Sequence, residues 1–287
     1  MRVSNNWVDY ELIDASQGER LERWKDIILI RPDPQVIWNT EKKNPLWKNA
    51  HARYIRSSSG GGQWKIYKKI PDSWQIKYND LVFNVKPMGF KHTGVFPEQA
   101  TNWDYVSDII KSSDRQLNIL NLFGYTGCAT VSSLKAGAKV CHVDASKGIV
   151  NWAKENALSS DVSELPVRWL VDDCVKFVER EIRRQNIYDG IIMDPPSYGR
   201  GPSGEIWKLE EKLYDFLLIC KNVLNENSKF IVLNSYTTGL SPSVMEYMLN
   251  EIFVKSFGGN TFSDEIGLNV TDSSFVLPCG STAIWIK

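Results

Sequence analysis

The sequence predicts an α/β protein built on an open, mostly parallel sheet, and three observations lead there. From about Trp103 onward, apolar runs alternate with helical patterns: "LNILNLFG", "KVCHVDA", "VRWLVDD", "YDGIIMDPP" and "KFIVLNSY" are each followed by a stretch able to form a helix. Such βα alternation implies parallel strands with helices on both faces, because right-handed crossovers return the chain to the same end of the sheet. Before Trp103 the runs are short, alternating and aromatic ("GGQWKIYKKI", "WQIKY", "LVFNVKPM"), and Gly, Pro and Asn-Asp signals separate them, which predicts strands and turns. The last segments, "TFSDEIGLNV" and "CGSTAIWIK", have no helix between them and predict a closing antiparallel pair. The expected architecture is therefore a Rossmann-like, seven-stranded, mostly parallel sheet with an antiparallel terminal strand, preceded by a small β-rich module. The expected domains are 1–102 and 103–287.

Composition narrows the class without naming a partner. The 287 residues are 43% hydrophobic and 24% charged, with 34 Lys and Arg against 34 Asp and Glu, as in an ordinary globular protein with ample core. No apolar run approaches the roughly 20 residues that span a bilayer, and the first residues lack an apolar stretch behind a basic head, so the expectation is a cytoplasmic protein with no membrane partner. Cys128, Cys141, Cys174, Cys220 and Cys279 are scattered, without the close pairs of zinc sites or disulfide frameworks, and are expected to be reduced, buried thiols. With only His51, His92 and His142 available, no metal centre is expected; His142, inside an apolar strand, reads as packing. "SSSGGG", Ser57 to Gly62, reads as a flexible hairpin loop.

The ends of the predicted strands carry the chemistry. In an open parallel sheet, ligands bind outside the carboxyl ends of the strands, at the topological switch point. The first strand ends in a turn, "FGYTG", whose Gly124 and Gly127 have G-x-x-G spacing. That spacing allows close backbone approach to a ligand, or simply a structural bend, and it lacks the G-x-G-x-x-G run of a dinucleotide fold. Asp144 closes the second strand, where a carboxylate can accept from both hydroxyls of a ribose; its other reading is an N-cap for the helix that begins near Ser146. At the end of the third strand Asp173 is placed to accept from an adenine amino group or to cap a helix, and Asp172 could exchange roles with it. The fourth strand ends in "MDPPSYG". Neither proline can donate to a sheet ladder, so the chain must leave the sheet there, and rigidly. Asp194 can then face cofactor or acceptor, Pro195 and Pro196 can turn a carbonyl inward, and Tyr198 can stack on a flat acceptor.

In order, "NLFGYTG", "VDAS", "DDC" and "MDPPSYG" resemble the class I S-adenosylmethionine-dependent methyltransferases, and among them the large-subunit ribosomal RNA methyltransferases that include 5-methylcytosine enzymes. The resemblance runs from about Lys91 to the C-terminus and takes in "KHTGVFPEQATNW"; the start of the chain is similar to members carrying a small β module. It implies the class I methyltransferase fold, S-adenosyl-L-methionine as cofactor, and Phe96 and Gln99 against it. It also implies Phe123, Gly124, Tyr125 and Gly127 around its methionine part, Asp144 on its ribose and Asp173 on its adenine. Thr126, Ala145, Ser146, Asp172 and Asp194 complete the expected cofactor-binding set; Asp194, Pro195, Pro196 and Tyr198 form the expected catalytic set.

Methylation of a pyrimidine carbon 5 needs a cysteine thiolate to activate the ring. This chain has Ser197 after the two prolines and "VLNSYTTGL" after the fifth strand, where the 5-methylcytosine relatives carry a cysteine. Nitrogen or oxygen methylation by direct displacement is the reading that remains. Between Glu41 and Lys91 stand eleven Lys and Arg against three Asp and Glu. Trp38, Trp47, Tyr54, Trp64, Tyr67, Trp74 and Tyr78 interleave with them, as on a surface that stacks bases and neutralises phosphates or as in alternating strands that bury one face. The expected partner is RNA, ribosomal RNA first. The loop Gly199 to Gly204, with Arg200, is expected either to close over the acceptor or to be a plain loop. The competing readings are a methyltransferase acting on protein or a small molecule, a catalytically silent RNA-binding module that keeps the cofactor fold, and a nicotinamide dehydrogenase, which "FGYTG" disfavours.

Overall fold

The computed structural model describes residues 1–57, 61–200 and 206–287. Part of the Ser57–Gly62 stretch, most of the Gly199–Gly204 loop and the Arg200 side chain lie outside the described residues. The chain divides into two compact units, Met1–Ala100 with Gly267–Cys279, and Thr101–Ile266 with Gly280–Lys287. The tip of the closing hairpin thus belongs to the first unit.

The first unit is all β. Its strands are β1 (Arg2–Val3), β2 (Tyr10–Ser16), β3 (Glu19–Trp24), β4 (Ile27–Pro32), β5 (Ala52–Arg56), β6 (Gly62–Ile66), β7 (Trp74–Tyr78) and β8 (Leu81–Val85). β2 to β6 form a five-stranded sheet in chain order, antiparallel except for the β4–β5 pair, and β7 and β8 form a separate antiparallel hairpin. Side chains alternate in β8, where Leu81, Phe83 and Val85 are buried and Val82 and Asn84 are half-buried, the period-2 pattern of a half-solvated strand. The hairpin tip joins this unit through β2: Thr271 and Asp272 donate backbone N–H to Leu12 and Ile13 carbonyls at 2.9 Å.

Beneath these strands sits a buried ionic cluster that the alternation of residues does not announce. Arg31 Nε and Nη2 donate to Glu22 Oε2 and Oε1 at 2.6 and 2.7 Å, and the Tyr10 hydroxyl donates to Glu22 Oε1 at 2.8 Å. Arg20 pairs with Asp33 alongside. Burial pushes the Glu22 carboxyl up, but Arg31, then Arg20 and the Tyr10 hydroxyl, outweigh it and hold the group below the ordinary glutamate value.

In the second unit α1 (Ala100–Ser112, its first residue counted with the first unit) leads into β9 (Asn118–Leu122), α2 (Cys128–Lys135), β10 (Lys139–Asp144), α3 (Lys147–Ser159), β11 (Val167–Val171), α4 (Cys174–Arg183) and β12 (Gly190–Met193). A short hairpin, β13 (Tyr198–Arg200) and β14 (Ile206–Lys208), precedes α5 (Leu209–Lys221) and β15 (Phe230–Ser235). Then come α6 (Pro242–Leu249), a π-helical turn, the three-residue α7 (Lys255–Phe257), β16 (Asn260–Asn269) and β17 (Val276–Ile286). The sheet order is β16-β17-β15-β12-β9-β10-β11, with β1 beside β16 as a two-residue eighth strand. The five predicted parallel strands pair in parallel, and β17 runs antiparallel to β15. β12 is buried throughout, as a strand covered on both faces requires. The chain runs from β9 outward to β11 and then crosses to β12 on the other side, so the switch point lies between β9 and β12.

Exchanging Arg31 for Met leaves the buried Glu22 carboxylate uncompensated, which costs about 3–5 kcal/mol. The expected result is a large fall in the guanidinium midpoint for Arg31→Met, with most of it restored in the Glu22→Leu/Arg31→Met double variant.

Candidate functional site

The turn after β9 is held in an uncommon backbone conformation. Phe123 and Tyr125 have φ of 54° and 48°, and Gly127 has 79°. Bulky side chains rarely occupy the left-handed region, and such residues persist only where their surroundings over-determine them. Here they do. Gly124 N–H donates to Val143 O at 3.0 Å, Tyr125 N–H to Asp144 Oδ2 at 3.0 Å, and Asn156 Nδ2 to Thr126 O at 2.8 Å. The two glycines have reasons within the fold itself. A Cβ on Gly124 would stand 2.5 Å from the His142 ring, and one on Gly127 would stand 2.7 Å from Ala153 Cβ. The spacing thus reports close packing of the turn against β10 and α3.

His142 does pack, as its strand position suggests, and also closes a polar chain: Asn121 Nδ2 donates to Thr130 Oγ1 at 2.8 Å, and that hydroxyl lies 2.9 Å from His142 Nδ1. Burial pushes the ring down to about 3, so it is neutral.

Asp144 stands at the tip of β10 with each carboxylate oxygen accepting one backbone N–H, from Tyr125 at 3.0 Å and from Ser146 at 2.9 Å. Ser146, not Asp144, caps α3. Burial raises the Asp144 carboxyl above the ordinary aspartate value, against the lowering by the two N–H donors. Each oxygen keeps a lone pair for a further donor. Ala145 and Ser146 are exposed beside it.

Asp173 takes the capping role at α4, accepting Lys176 N–H on Oδ1 at 2.9 Å. Asp172 is paired with Arg180, and its N–H donates to Asp144 O at 3.0 Å. The two aspartates are therefore not interchangeable. A cavity of about 380 Å³ opens beside Asp173 between α4, β14 and α5, with Val175, Trp207 and Phe216 among its walls.

At the end of β12, Asp194 Oδ1 accepts from Asn234 Nδ2 at 3.1 Å. Of the two prolines, Pro195 is buried and Pro196 exposed, and Pro196 O accepts from the Trp207 indole at 2.7 Å. Trp207 in turn packs on Phe123 and Phe216, with ring centroids 5.4 and 5.8 Å away. Tyr198 is half exposed on β13. Asn234 and Trp207 escaped sequence reading, since each becomes informative only through its partner.

Ser197 and Thr237 hydroxyls lie 2.6 Å apart, in the segments that lack a cysteine. All five cysteines are buried, and burial pushes the Cys128 thiol to about 12 and Cys141 to about 11, far from thiolates at neutral pH. No group of three or more His, Cys, Asp or Glu suited to a metal ion occurs among the described residues, nor a helix long and apolar enough to cross a membrane.

Phe96 and Gln99 are half-buried in the first unit, on the 3₁₀ turn Pro97–Gln99, where the Gln99 N–H donates to Phe96 O at 3.1 Å. The expected platform of seven aromatics is largely corrected. Tyr54 and Tyr78 are buried. The indoles of Trp47, Trp64 and Trp74 are half-buried and donate to Asp14 Oδ2, Met88 O and Trp24 O. Trp38 is exposed but donates to Ala15 O, so Tyr67 is the ring that remains on an open face. The alternating strands bury one face, and the basic residues are left on the other.

A family model described as S-adenosylmethionine-dependent methyltransferase matches residues 43–213. The chain belongs to this family. A solved structure, the SAM-dependent methyltransferase from Agrobacterium tumefaciens, is 34% identical with a TM-score of 0.94, over 99% of this chain and 92% of that one. Two curated relatives are ribosomal RNA large subunit methyltransferases K/L. The Syntrophotalea carbinolica protein is 26% identical over 183 residues, 63% of this chain and 25% of the relative. The Shewanella frigidimarina protein is 29% identical over 155 residues, 53% of this chain and 21% of the relative. The chain spans about a quarter of the length of these curated relatives. Membership of this family makes S-adenosylmethionine the cofactor.

The turn's packing is directly testable. Gly127→Ala combines an unfavourable φ with a clash and is expected to cost about 1–3 kcal/mol. Ala153→Gly removes the clashing Cβ but places a glycine inside α3 at about 1 kcal/mol, so in chemical denaturation the two changes together should cost less than the sum of the two single losses.

Proposed function

We propose that this methyltransferase-family protein transfers a methyl group to an amino nitrogen of RNA, ribosomal RNA first, in the cytoplasm, where unpaired thiols stay reduced. The observation that carries the reading is the row of carboxylates Asp144, Asp173 and Asp194 at the ends of β10, β11 and β12, flanking the strained turn of β9 at the switch point. S-adenosylmethionine, when bound, supplies a methyl group on a sulfonium centre that a nitrogen lone pair can displace in line.

The chain's own residues then bind and orient. Asp144 accepts from the ribose hydroxyls, and Asp173, with Oδ1 committed to its helix, offers Oδ2 toward the adenine edge. The turn from Phe123 to Gly127 surrounds the methionine part, with Thr126, Ala145, Ser146 and Asp172 shaping its surroundings. Asp194 and the Pro195 carbonyl accept N–H bonds from the amino group, which aims its lone pair, and Tyr198 stacks on the base. Holding reactants at near contact can supply on the order of 7–11 kcal/mol of the barrier. A pyrimidine carbon-5 acceptor is unsupported, because all five cysteines are buried.

RNA is favoured by the outer strands of the first unit. Arg53 on β5 lies directly opposite Lys65 on the edge strand β6; Glu19 pairs with Arg53 at 2.7 Å, so the positive charge open to a polyanion is carried by the lysines of β6 and the segment after it. Arg53, Ile55 and Arg56, then Lys65 through Lys69, are exposed, and Lys65 Nζ lies 5.4 Å from the Tyr67 ring centre. Cations beside a free aromatic ring suit phosphates and an unstacked base.

Asp144→Ala is expected to weaken S-adenosylhomocysteine binding by about tenfold to a hundredfold in calorimetry; unchanged affinity removes Asp144 from the site. Its raised carboxyl protonates at a higher pH than a free aspartate. Affinity should therefore decline on acidification earlier than the usual aspartate range, a dependence that Asp144→Asn abolishes. Replacing Lys65, Lys68 and Lys69 together by Glu should lower RNA affinity and flatten its salt dependence, while leaving S-adenosylhomocysteine affinity alone. Radiolabelled methyl transfer confined to protein or to small metabolites would refute the RNA assignment, and no label in any fraction would point to a silent module.

A further inference from the structure

Three polar side chains buried in the second unit, Asn102, Asn234 and Thr282, have no role in the cofactor reading above. They form one chain. Asn102 Nδ2 donates to Thr282 Oγ1 at 3.1 Å, the Thr282 hydroxyl donates to Asn234 Oδ1 at 2.7 Å, and Asn234 Nδ2 donates to Asp194 Oδ1 at 3.1 Å. The links come from α1, β17, β15 and the residue after β12. Strand register sets them side by side: Asn234 pairs with Thr282 across the antiparallel β15–β17 ladder, and Met193 pairs with Leu233 across the parallel β12–β15 ladder. Asp194, one residue past Met193, therefore arrives beside Asn234.

The chain has a polarity. A threonine hydroxyl has one proton, and here it goes to the Asn234 carbonyl oxygen, so the Asn234 amide must turn its NH₂ toward Asp194. Flipping that amide would set its oxygen against an ionised carboxylate, two acceptors facing each other. Donors thus run in one direction and end on a carboxylate that can only accept.

We infer that Asn234, Thr282 and Asn102 are positioning residues that hold Asp194 in one orientation as an acceptor, selecting a substrate group that brings its own N–H. The inference rests on the proposed methyl transfer to an amino nitrogen. It assigns a task to the antiparallel strand β17, whose Thr282 decides which way the Asn234 amide faces. None of the three touches the reacting atoms, so their effect passes through Asp194.

The test uses the full chain with Thr282→Val, which keeps shape and removes the hydroxyl, and Thr282→Ser, which keeps the hydroxyl. In methyl transfer to RNA, Thr282→Val is expected to lower kcat by about tenfold, with KM and S-adenosylhomocysteine affinity near wild type and Thr282→Ser restoring the rate. Equal rates for Val and wild type, or equal losses for Val and Ser, overturn the inference. The nitrogen-15 resonances of the Asn234 side-chain amide test the chain without turnover: Thr282→Val and Asp194→Asn should each shift them, Thr282→Ser should not, and resonances unmoved by either of the first two changes overturn it. An inactive wild-type protein would count against the proposed function, while the amide resonances would still decide this one.

Discussion

The hydrogen bond from Tyr125 N–H to Asp144 Oδ2 is the constraint on which the site depends. It ties the turn after β9 to the tip of β10 and helps to hold Tyr125 in a left-handed conformation that an unconstrained tyrosine avoids. A hydrogen bond to a charged group contributes about 1.5–3 kcal/mol, comparable to the roughly 1–3 kcal/mol that one strained residue costs. The same bond orients the Asp144 carboxylate, so one interaction shapes the backbone cradle and aims the group expected to face a ribose. Gly124 against His142 and Gly127 against Ala153 complete the restraint by steric exclusion.

On the other side of the switch point, rigidity comes from the meeting of parallel and antiparallel strands. β15 pairs with β12 in parallel and with β17 in antiparallel fashion, so Asn234 can reach a partner on each side. Buried polar groups are costly unless satisfied, and these satisfy one another in a row that ends at Asp194. Pro196 and Trp207 hold the next stretch of backbone, with Trp207 seated on Phe123 from the glycine turn. The two halves of the site are thus packed together through aromatic contacts.

The first unit shows the same economy with charge. Its internal arginines and carboxylates are matched, Arg31 to Glu22 and Arg20 to Asp33, so their electrostatics is spent on the fold. Arg53 on β5 shares Glu19 with Lys42, whereas the lysines of β6 and the segment after it stand on the open face. Net charge by itself does not separate these groups; burial does.

The strand and helix pattern, the switch-point location and the acidic strand tips were legible because period-2 and period-3.6 alternation, prolines that cannot join a ladder, and strand-end acids are local signals. The absence of a positioned cysteine was legible as well, since it depends on residue identity alone. Tertiary structure decided what depends on pairs distant in the chain. It showed that Asp173 caps α4 whereas Asp144 caps nothing, that the glycines answer to His142 and Ala153, and that most of the aromatics near the lysines are committed to the interior. It also showed that Asn102, Thr282 and Asn234 converge on Asp194 across 180 residues of sequence. A linear pattern records which face a residue occupies; only register between strands determines which atom it meets.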